Sequence, residues 1–505
     1  MRKAPGLLGI CLSVMACASL TKPVPLSVNP AQMAKLRVVD ERFLSYNIEM
    51  AEVIGADAWL PYEIGSGGLF EPRSPIDLSN SRLRKLAEAL GPAYLRVSGR
   101  GANQVYFHTG EVPLRKVPRG YEGILTRKQW QGVLDFALAV NAKLVTSFAV
   151  SSGVRDAKGV WTPKEARKIF AATQAGGGKI FAAEFFNEPN RPAEAGLSRG
   201  YDAAAYGKDF AVFKKFLKAQ TPEIALVGPA SGGEDMIPTQ GPAAVLRVED
   251  LLKATSPGVD IFSYHFYGAL SQRCVSGQDD PLGTRAEAAL AEEWFSRAER
   301  AAAFYQDLRD RYEPGKPIWV TETADAACGG NPWASTFRDS FRYVIQLSQL
   351  ALRGVQARFH SALAASDYGL LDSHTFLPRP NYWVSLLWRR WMGSVVLDAG
   401  EVREGGHLYA HCLRDVPGGV ALLVVNTSGT QTLRLRVPMA VDRYTLTALK
   451  LEDTVVRLNG EELKLGLNDQ LPNLDGERIA RGPIELPPAS ITFLAVPDAK
   501  NGSCP

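Results

Sequence analysis

The sequence predicts an α/β protein: a (β/α)8 TIM barrel with a smaller C-terminal antiparallel β-sandwich domain. Two observations indicate this fold. Apolar runs of strand length alternate with helix-like segments over residues 41–392. From residue 393 to residue 505 the pattern changes to short period-two strands separated by glycine, asparagine and proline. Regular strand–helix alternation is typical of a parallel barrel, and short alternating strands are typical of a sandwich.

The residues ahead of the barrel predict export. Residues 1–18 combine a positively charged start with an apolar run that is too short to span a bilayer, as in a signal peptide. Cleavage after Ala18 and lipoprotein-type cleavage before Cys17 both fit, so a secreted or periplasmic protein and a lipid-anchored one remain open. Residues 24–40 contain two short apolar runs, which we expect to complete the β-sandwich.

Eight apolar runs predict the barrel strands, at residues 43–48, 93–98, 144–150, 183–186, 224–227, 261–265, 318–321 and 355–360. Helix-like segments lie between them, for example at residues 83–90, 130–140, 203–217, 286–308 and 337–352. The sandwich strands are predicted at residues 419–426, 433–437, 444–448, 454–458 and 491–496. In this count, Glu188 follows the fourth barrel strand and Glu322 ends the seventh.

Composition excludes some classes of function and leaves others open. The chain has 505 residues, 46% of them hydrophobic and 22% charged, with a net charge of +4. This balance requires no polyanionic partner, and we find no nucleic-acid recognition motif. We expect neither a cofactor nor a metal ion, because no ligand motif is present; His407 and His411 share a face but lie in the predicted sandwich. We expect a monomer.

Glu188 and Glu322 are the candidate catalytic pair, because barrel enzymes carry their chemistry at the C-terminal ends of the strands. An acetal is cleaved with retention when one carboxyl group protonates the leaving oxygen and a second, about 5 to 5.5 Å away, attacks the anomeric carbon. We assign Glu188, beside Asn187, as the acid/base and Glu322 as the nucleophile. The negative charge of Glu322 is expected to raise the pKa of Glu188.

His265 and Tyr267 end the sixth predicted strand and point to the same side of it. An imidazole and a phenol beside Glu322 can orient that carboxylate through hydrogen bonds. A histidine within a strand is more often a structural residue, so this alternative stays open on the residues alone.

Basic residues occur repeatedly in the loops that follow the predicted strands. Arginine and lysine on such a rim suit the carboxylates and sulfates of an anionic substrate, with Arg100, Arg155 and Arg273 as candidate contacts. The alternative, that surface loops are simply charged, stays open. The full set is Arg100, Arg115, Lys116, Arg119, Arg155, Lys158, Arg191, Arg273 and Arg379.

Four of the six cysteines lie outside the predicted signal segment, and four cysteines allow three pairings. Their order along the chain suggests Cys274 with Cys328 and Cys412 with Cys504. Free buried thiols are the alternative.

With these residues in view, the chain resembles the heparanase-type retaining β-glucuronidases of glycoside hydrolase family 79. The resemblance runs along nearly the whole mature chain. Its strongest motifs are Leu90-Gly91-Pro92-Ala93-Tyr94-Leu95-Arg96 with Ser98-Gly99, Asn187-Glu188-Pro189-Asn190, Glu322-Thr323 with Gly329-Gly330, and Asn381-Tyr382-Trp383-Val384-Ser385-Leu386-Leu387.

The resemblance implies roles for single residues. Glu188 matches the acid/base of the family and Glu322 its nucleophile. Asn187 is similar to the asparagine that contacts the 2-hydroxyl of the sugar, and His265 and Tyr267 match the histidine and tyrosine beside the nucleophile.

The resemblance also covers the segment Ser366-Asp367-Tyr368. Tyr368 matches the tyrosine whose neighbourhood holds the glucuronate carboxylate, whereas Ser366 stands where the family often has glycine. Cys412 and Cys504 are placed like the C-terminal disulfide of the family.

The function implied is that of a retaining endo-β-D-glucuronidase acting on heparan sulfate-type glycans, anionic partners rich in uronic acid. Exo-acting removal of terminal glucuronate is the alternative, and an inactive glycan-binding homologue is a third hypothesis. The family's animal members carry a long segment after the second strand that is excised on activation. Residues 108–126 are short at that place, so we expect activity without such processing.

Overall fold

The computed structural model describes residues 26–62, 68–234, 245–277, 280–400 and 405–505. The predicted signal peptide, residues 1–18, lies outside the described residues, as do both of its cleavage alternatives and the start of the first N-terminal strand. Across the described ranges, every helix falls short of the length or the apolarity required to cross a bilayer.

Eight parallel strands form a closed barrel at the centre of the fold. Each strand pairs with the next, and strand eight returns to pair with strand one. The predicted TIM barrel is therefore confirmed. In chain order, barrel strands one to eight are Leu44–Glu49, Ala93–Ser98, Ala142–Thr146, Ile180–Glu184, Ala225–Gly232, Ile261–Leu270, Ile318–Ala327 and Ala357–His360.

Helices surround the barrel, and local capping fixes where several of them begin. Thr126 and Gln129 form a reciprocal capping box, and the Asp202 side chain accepts from the backbone N–H of Ala205. The segment predicted as one helix at residues 286–308 is divided at Ala291 into a 3-10 turn and an α-helix. The α-helices are Met50–Ile54, Ser81–Ala89, Arg127–Ala139, Lys164–Ala175, Ala203–Gln220, Val248–Thr255, Glu292–Tyr312, Phe337–Leu352 and Pro380–Trp391.

Short elements complete the barrel loops and the connections. The 3-10 helices are Pro30–Gln32, Arg100–Gln104, Ser152–Val154, Pro192–Ala195, Ala286–Leu290, Leu467–Asp469 and Pro497–Ala499. Two small strand pairs lie in loops of the barrel: Ala58–Trp59 with Phe70–Glu71, and Val105–His108 with Gly123–Thr126.

The barrel interior changes from apolar to polar along the strands. A cluster of inward side chains fills one end: Tyr94, Val145, Ala182, Val227, Ile261, Trp319, Ala357 and Phe359. Two residues further along their strands, Arg96 and Glu184 are fully buried on the same inward side. The apolar plug closes the N-terminal end, so the polar groups meet towards the C-terminal end.

The C-terminal region forms two antiparallel sheets that the N-terminal strands complete, as predicted. Leu26–Ser27 completes a three-stranded sheet by pairing in parallel with Leu433–Val437, which pairs antiparallel with Gly482–Leu486. The larger sheet runs in the order Lys35–Val38, Met392–Leu397, Gly406–Leu413, Val420–Asn426, Ser490–Val496, Val441–Thr447, Arg457–Leu458 and Glu461–Glu462, and Glu477–Ile479 pairs with Val441–Thr447. Apolar side chains from both sheets share one cluster.

The two histidines of the larger sheet have structural partners. His411 lies 2.7 Å from the carbonyl oxygen of Gly393 through its Nδ1, and burial lowers the pKa of His411 to about 4. His407 Nε2 lies 3.1 Å from Glu292.

Two disulfides join the four cysteines in the suggested pairs. Cys274–Cys328 connects the loops that follow barrel strands six and seven, and Cys412–Cys504 fixes the end of the chain to the larger sheet. The predicted disulfides are confirmed.

Replacing both Cys412 and Cys504 with serine is expected to lower the free energy of unfolding by about 4 kcal/mol. The disulfide closes a loop with a sequence separation of 92, and opening it releases that constraint on the unfolded chain. The midpoint of urea unfolding measures the effect. An unchanged midpoint would show that the tail contributes no constraint.

Candidate active site

The turn after strand four presents Asn187 and Glu188. Asn187 is held by Asn103, which donates to its carbonyl oxygen and accepts from its backbone N–H, both at 2.9 Å. Glu188 adopts a left-handed backbone conformation with φ of 50°, and its N–H donates to the carbonyl oxygen of Ala230. This conformation is costly for a residue with a side chain, and such strain is concentrated at functional sites.

Glu322 lies on the inner side of strand seven, opposite His265 of strand six at a shift of register. Both of its carboxylate oxygens have a donor. Tyr267 donates from its hydroxyl to Oε1 at 2.6 Å, and Arg96 donates from Nη1 to Oε2 at 3.1 Å. Burial, followed by the charge of Glu322, raises the pKa of Tyr267 well above its usual range, so the phenol stays a donor.

The structure brings the two predicted catalytic carboxylates together. His265 Nδ1 lies between them, 3.1 Å from Glu188 Oε1 and 3.6 Å from Glu322 Oε2. These three atoms all lie within 4.8 Å of one another. This separation matches the close carboxylate pair that direct nucleophilic attack requires. Attack by a water molecule instead needs about 6.5 Å or more between the two carboxyl groups, to leave room for the water.

The pKa of Glu188 moves in the opposite direction to our sequence expectation. Burial raises it, but the hydrogen bond from His265, together with the nearby positive charges of Arg191 and Arg96, outweighs burial, and the pKa is lowered. His265 Nε2 lies 3.3 Å from Arg96 Nη2, which can only donate. His265 Nε2 therefore accepts, and its Nδ1 carries the proton that is directed at Glu188.

Arg96 is one of two site residues that the sequence analysis does not identify. Its guanidinium contacts Glu184 at 2.9 Å, Glu322 at 3.1 Å and the Asn187 side-chain oxygen at 2.8 Å, besides His265. Burial lowers the pKa of Arg96, but the surrounding carboxylates outweigh it and raise the pKa above its usual range. An arginine inside a strand that is otherwise apolar was the signal that could have found it.

Glu49 is a second missed residue, at the end of strand one. Burial, then the negative charge of Glu322, raises the pKa of Glu49 well above its usual range. A Cβ placed on Gly99 would lie 1.6 Å from Glu49 Oε2, so only glycine allows the carboxyl group this position. The rule that we applied to Glu188 and Glu322, a carboxylate ending a barrel strand, also identifies Glu49.

A histidine and two carboxylates are also the donors of many metal sites. Here the guanidinium of Arg96 donates to Glu184 and Glu322, so a cation belonging to the protein already lies against the carboxylates at the base of this cluster. We therefore interpret this cluster as an acid–nucleophile pair with an internal counter-ion.

The segment after strand eight places Tyr368 beside the same site. Its ring centroid lies 6.4 Å from that of Tyr267, and a Cβ placed on Gly330 would lie 3.2 Å from its ring. Ser366 has a φ of 61°, in the region that favours glycine, which accounts physically for the glycine often found there in the family. Its carbonyl oxygen accepts from Arg379.

The nine predicted rim cations fall into two groups. Five are exposed: Arg100, Arg115, Lys116, Arg119 and Lys158. By contrast, four arginines pair with carboxylates of the protein. Arg155 pairs with Asp209 at 2.9 Å, Arg273 with Asp367 at 2.6 Å, Arg379 with Asp372 at 3.3 Å and Arg191 with Glu194 at 3.3 Å. Asp367 is thus brought next to Arg273 rather than standing free beside Tyr368.

Comparison with known proteins finds no matching family model. Curated relatives do match. Heparanase-like protein 1 of Arabidopsis thaliana is 25% identical over 85% of this chain and 86% of its own length. Bovine heparanase is 26% identical over 88% and 90%, and the hyaluronoglucuronidase of Hirudo nipponia is 24% identical over 86% and 94%.

Solved structures share the fold at low sequence identity. The GH51 arabinofuranosidase from Xanthomonas axonopodis pv. citri superposes with a TM-score of 0.63 at 16% identity, over 94% of this chain and 99% of its own. A 4-O-α-L-rhamnosyl-β-D-glucuronidase from Fusarium oxysporum also reaches 0.63, at 12% identity over 93% and 100%. The resemblance to heparanases is confirmed, as is the interpretation of this chain as a glycoside hydrolase.

Replacing Arg96 with leucine is expected to lower the free energy of unfolding by about 3 to 5 kcal/mol, because the buried carboxylate of Glu184 loses its counter-ion. Arg100→Leu is the matched control: this arginine is exposed, so the change should stay within about 0.5 kcal/mol. Chemical unfolding measures both variants. Equal, small effects would contradict the counter-ion role.

Proposed function

We propose that this chain is a retaining β-D-glucuronidase that hydrolyses uronic-acid-containing glycans by double displacement. The observation that carries the proposal is the close pair of Glu188 and Glu322, with reactive atoms within 4.8 Å and separate partners for each. The heparanase and hyaluronoglucuronidase relatives support the choice of substrate.

In the first half-reaction, Glu322 attacks the anomeric carbon while Glu188 donates a proton to the leaving oxygen. The carbon–oxygen bond to the leaving group breaks as the ester bond to Glu322 forms. Arg96 and Tyr267 each donate a hydrogen bond to Glu322 and fix the orientation of its carboxyl group for attack. Asn187, fixed by Arg96 and Asn103, is positioned for the 2-hydroxyl of the sugar.

In the second half-reaction, Glu188 accepts a proton from water, and the oxygen of that water attacks the same carbon. The ester bond to Glu322 breaks, the hydroxyl product leaves and Glu188 regains its proton. The His265 hydrogen bond stabilises the ionised form of Glu188, which is the form that this step requires.

The first candidate for the mode of attack is internal cleavage of heparan sulfate-type chains, as the heparanase relatives support. The exposed cations Arg100, Arg115, Lys116 and Arg119 suit a polyanionic chain of this kind. The second candidate is exo-acting release of terminal glucuronate, which one structural observation favours. A short hairpin after strand one, at residues 58–62 and 68–71, contacts the loops that follow strands six, seven and eight. Following the size of heparan sulfate by gel filtration separates the two modes.

We also propose that the protein acts outside the cytoplasm. Two disulfides support this, because such bonds persist in oxidising compartments.

Glu322→Gln is expected to lower the kcat for an aryl β-glucuronide by more than a thousandfold with substrate binding retained, because the amide cannot form the ester intermediate. Glu188→Gln should slow the cleavage of a poor leaving group much more than that of a good one, since only a poor leaving group needs the proton. Glu194→Gln, an exposed glutamate in the loop after strand four, is the control. Hydrolysis that persists in Glu322→Gln would remove the nucleophile assignment.

His265→Phe is expected to move the basic limb of the kcat/KM profile to higher pH. The hydrogen bond from His265 lowers the pKa of Glu188, and without it the acid stays protonated to higher pH. The pH dependence of aryl glucuronide hydrolysis measures the limb. A basic limb that stays in place or moves down would contradict this role of His265.

A further inference from the structure

A short hairpin lies in the loop after strand one. We call its described part, residues 58–62 and 68–71, the strand-one hairpin. Ala58 pairs with Glu71 and Trp59 with Phe70, and the rings of Trp59 and Phe70 lie 4.4 Å apart. The two strands are too short to be stable by themselves, so what fixes the hairpin must be its contacts with the barrel loops.

The hairpin is joined to the loops after strands six and eight through Arg273. The guanidinium donates to the carbonyl oxygen of Leu60 at 2.6 Å, lies 3.9 Å above the ring of Tyr62 and pairs with Asp367 at 2.6 Å. The backbone N–H of Tyr62 donates to the other oxygen of Asp367 at 3.2 Å. Arg273 and Asp367 are both almost fully buried, which strengthens their pairing relative to a surface pair.

The hairpin is also joined to the loop after strand seven. The Tyr62 hydroxyl lies 2.9 Å from that of Ser271, which donates to the carbonyl oxygen of Gly330 at 2.6 Å. Trp59 packs on Gly329 so closely that a Cβ there would lie 2.6 Å from the tryptophan Cβ. The disulfide between Cys274 and Cys328 ties the same two loops together.

The proposed mechanism determines which part of a substrate faces the strand-one hairpin. Glu188 protonates the leaving group, so the leaving group lies on the side of strand four. The sugar that is transferred to Glu322 extends the other way, towards Tyr267 and Tyr368. Gly330, which contacts Tyr368, is one residue from the glycine on which Trp59 packs.

An internal glucuronosyl unit carries its next sugar on O4, beside the carbon that bears the carboxylate group. A chain that continues past the site would therefore have to leave along the hairpin side. Among the described residues of this side, Arg273 is paired with Asp367 and Arg73 with Glu71. On the side of strands two to four, Arg100, Arg115 and Lys116 are exposed, so a polyanion is favoured only on the leaving-group side.

We propose that the strand-one hairpin, held in place by Arg273, blocks one end of the substrate site. This end wall restricts hydrolysis to the glucuronosyl residue at the non-reducing end of a chain. This inference rests on the proposed function. It assigns Trp59, Tyr62 and Arg273 to substrate specificity, although they take no part in the chemical step.

The test uses three substrates with the unmodified protein. An aryl β-glucuronide reports the proposed function itself. A heparan- or hyaluronan-derived oligosaccharide with terminal glucuronate is compared with the same oligosaccharide capped by a hexosamine. We expect the protein to release glucuronate from the aryl glucuronide and from the uncapped oligosaccharide. It should cleave the capped oligosaccharide at least a hundredfold more slowly than the uncapped one. Comparable cleavage of both chains overturns the end wall, whereas no hydrolysis of the aryl glucuronide overturns the proposed function.

Variants test the residues of the wall. The double variant combines Arg273→Ala with Tyr62→Ala. In this variant, the ratio of the rate of capped-chain cleavage to the rate of aryl glucuronide hydrolysis should rise at least tenfold. Arg155→Ala is the matched control, since Arg155 forms a similar arginine–carboxylate pair with Asp209 on the other side of the barrel and should leave the ratio as it was. Trp59→Ala, which removes the packing of the indole on Gly329 and Phe70, should shift the ratio in the same direction. An unchanged ratio in folded variants overturns the role of the hairpin.

Discussion

The buried guanidinium of Arg96 is the interaction on which the rest of the site depends. It rises from the apolar plug of the barrel and reaches four partners: Glu184, Glu322, Asn187 and His265. Several carboxyl groups cannot be buried close together as anions without a positive charge between them. Arg96 supplies that charge. By donating to His265 it also fixes the tautomer that directs a proton at Glu188, so one side chain acts on Glu322 directly and on Glu188 through His265.

The two sides of the site differ in their exposed positive charge, because the cations on one side are paired with protein groups and those on the other are exposed. Arg273 and Arg379 hold the loops after strands six and eight through buried contacts with Asp367 and Ser366. The loop after strand two instead carries exposed cations such as Arg115 and Lys116. On the proposed function, a substrate would meet paired cations beyond Glu322 and exposed, basic side chains beyond Glu188. Charge counted along the sequence cannot reveal this difference, because it depends on pairing.

The sequence was sufficient for the barrel, the N-terminal completion of the sandwich and the meeting of Glu188 with Glu322, because period and strand order determine them. The sequence was insufficient where the state of one side chain depends on several others that are distant along the chain. Position within an apolar strand does not indicate which partners Arg96 contacts, and a loop position does not indicate that Arg155 pairs with Asp209. The pKa of Glu188 was expected to rise from the charge of Glu322, but the tautomer of His265, set by Arg96, is a three-body effect that strand patterns do not encode.

The stereochemistry of the first product tests the central claim most directly, namely that Glu188 and Glu322 act as a close pair. Proton NMR can follow the anomeric signals while an aryl β-glucuronide is hydrolysed, before the released sugar mutarotates. Direct attack by Glu322, followed by water, inverts the anomeric carbon twice, so the account predicts that β-glucuronic acid forms first. If the α-anomer forms first, water attacks directly, and the carboxylate spacing described above is not the one that operates in catalysis.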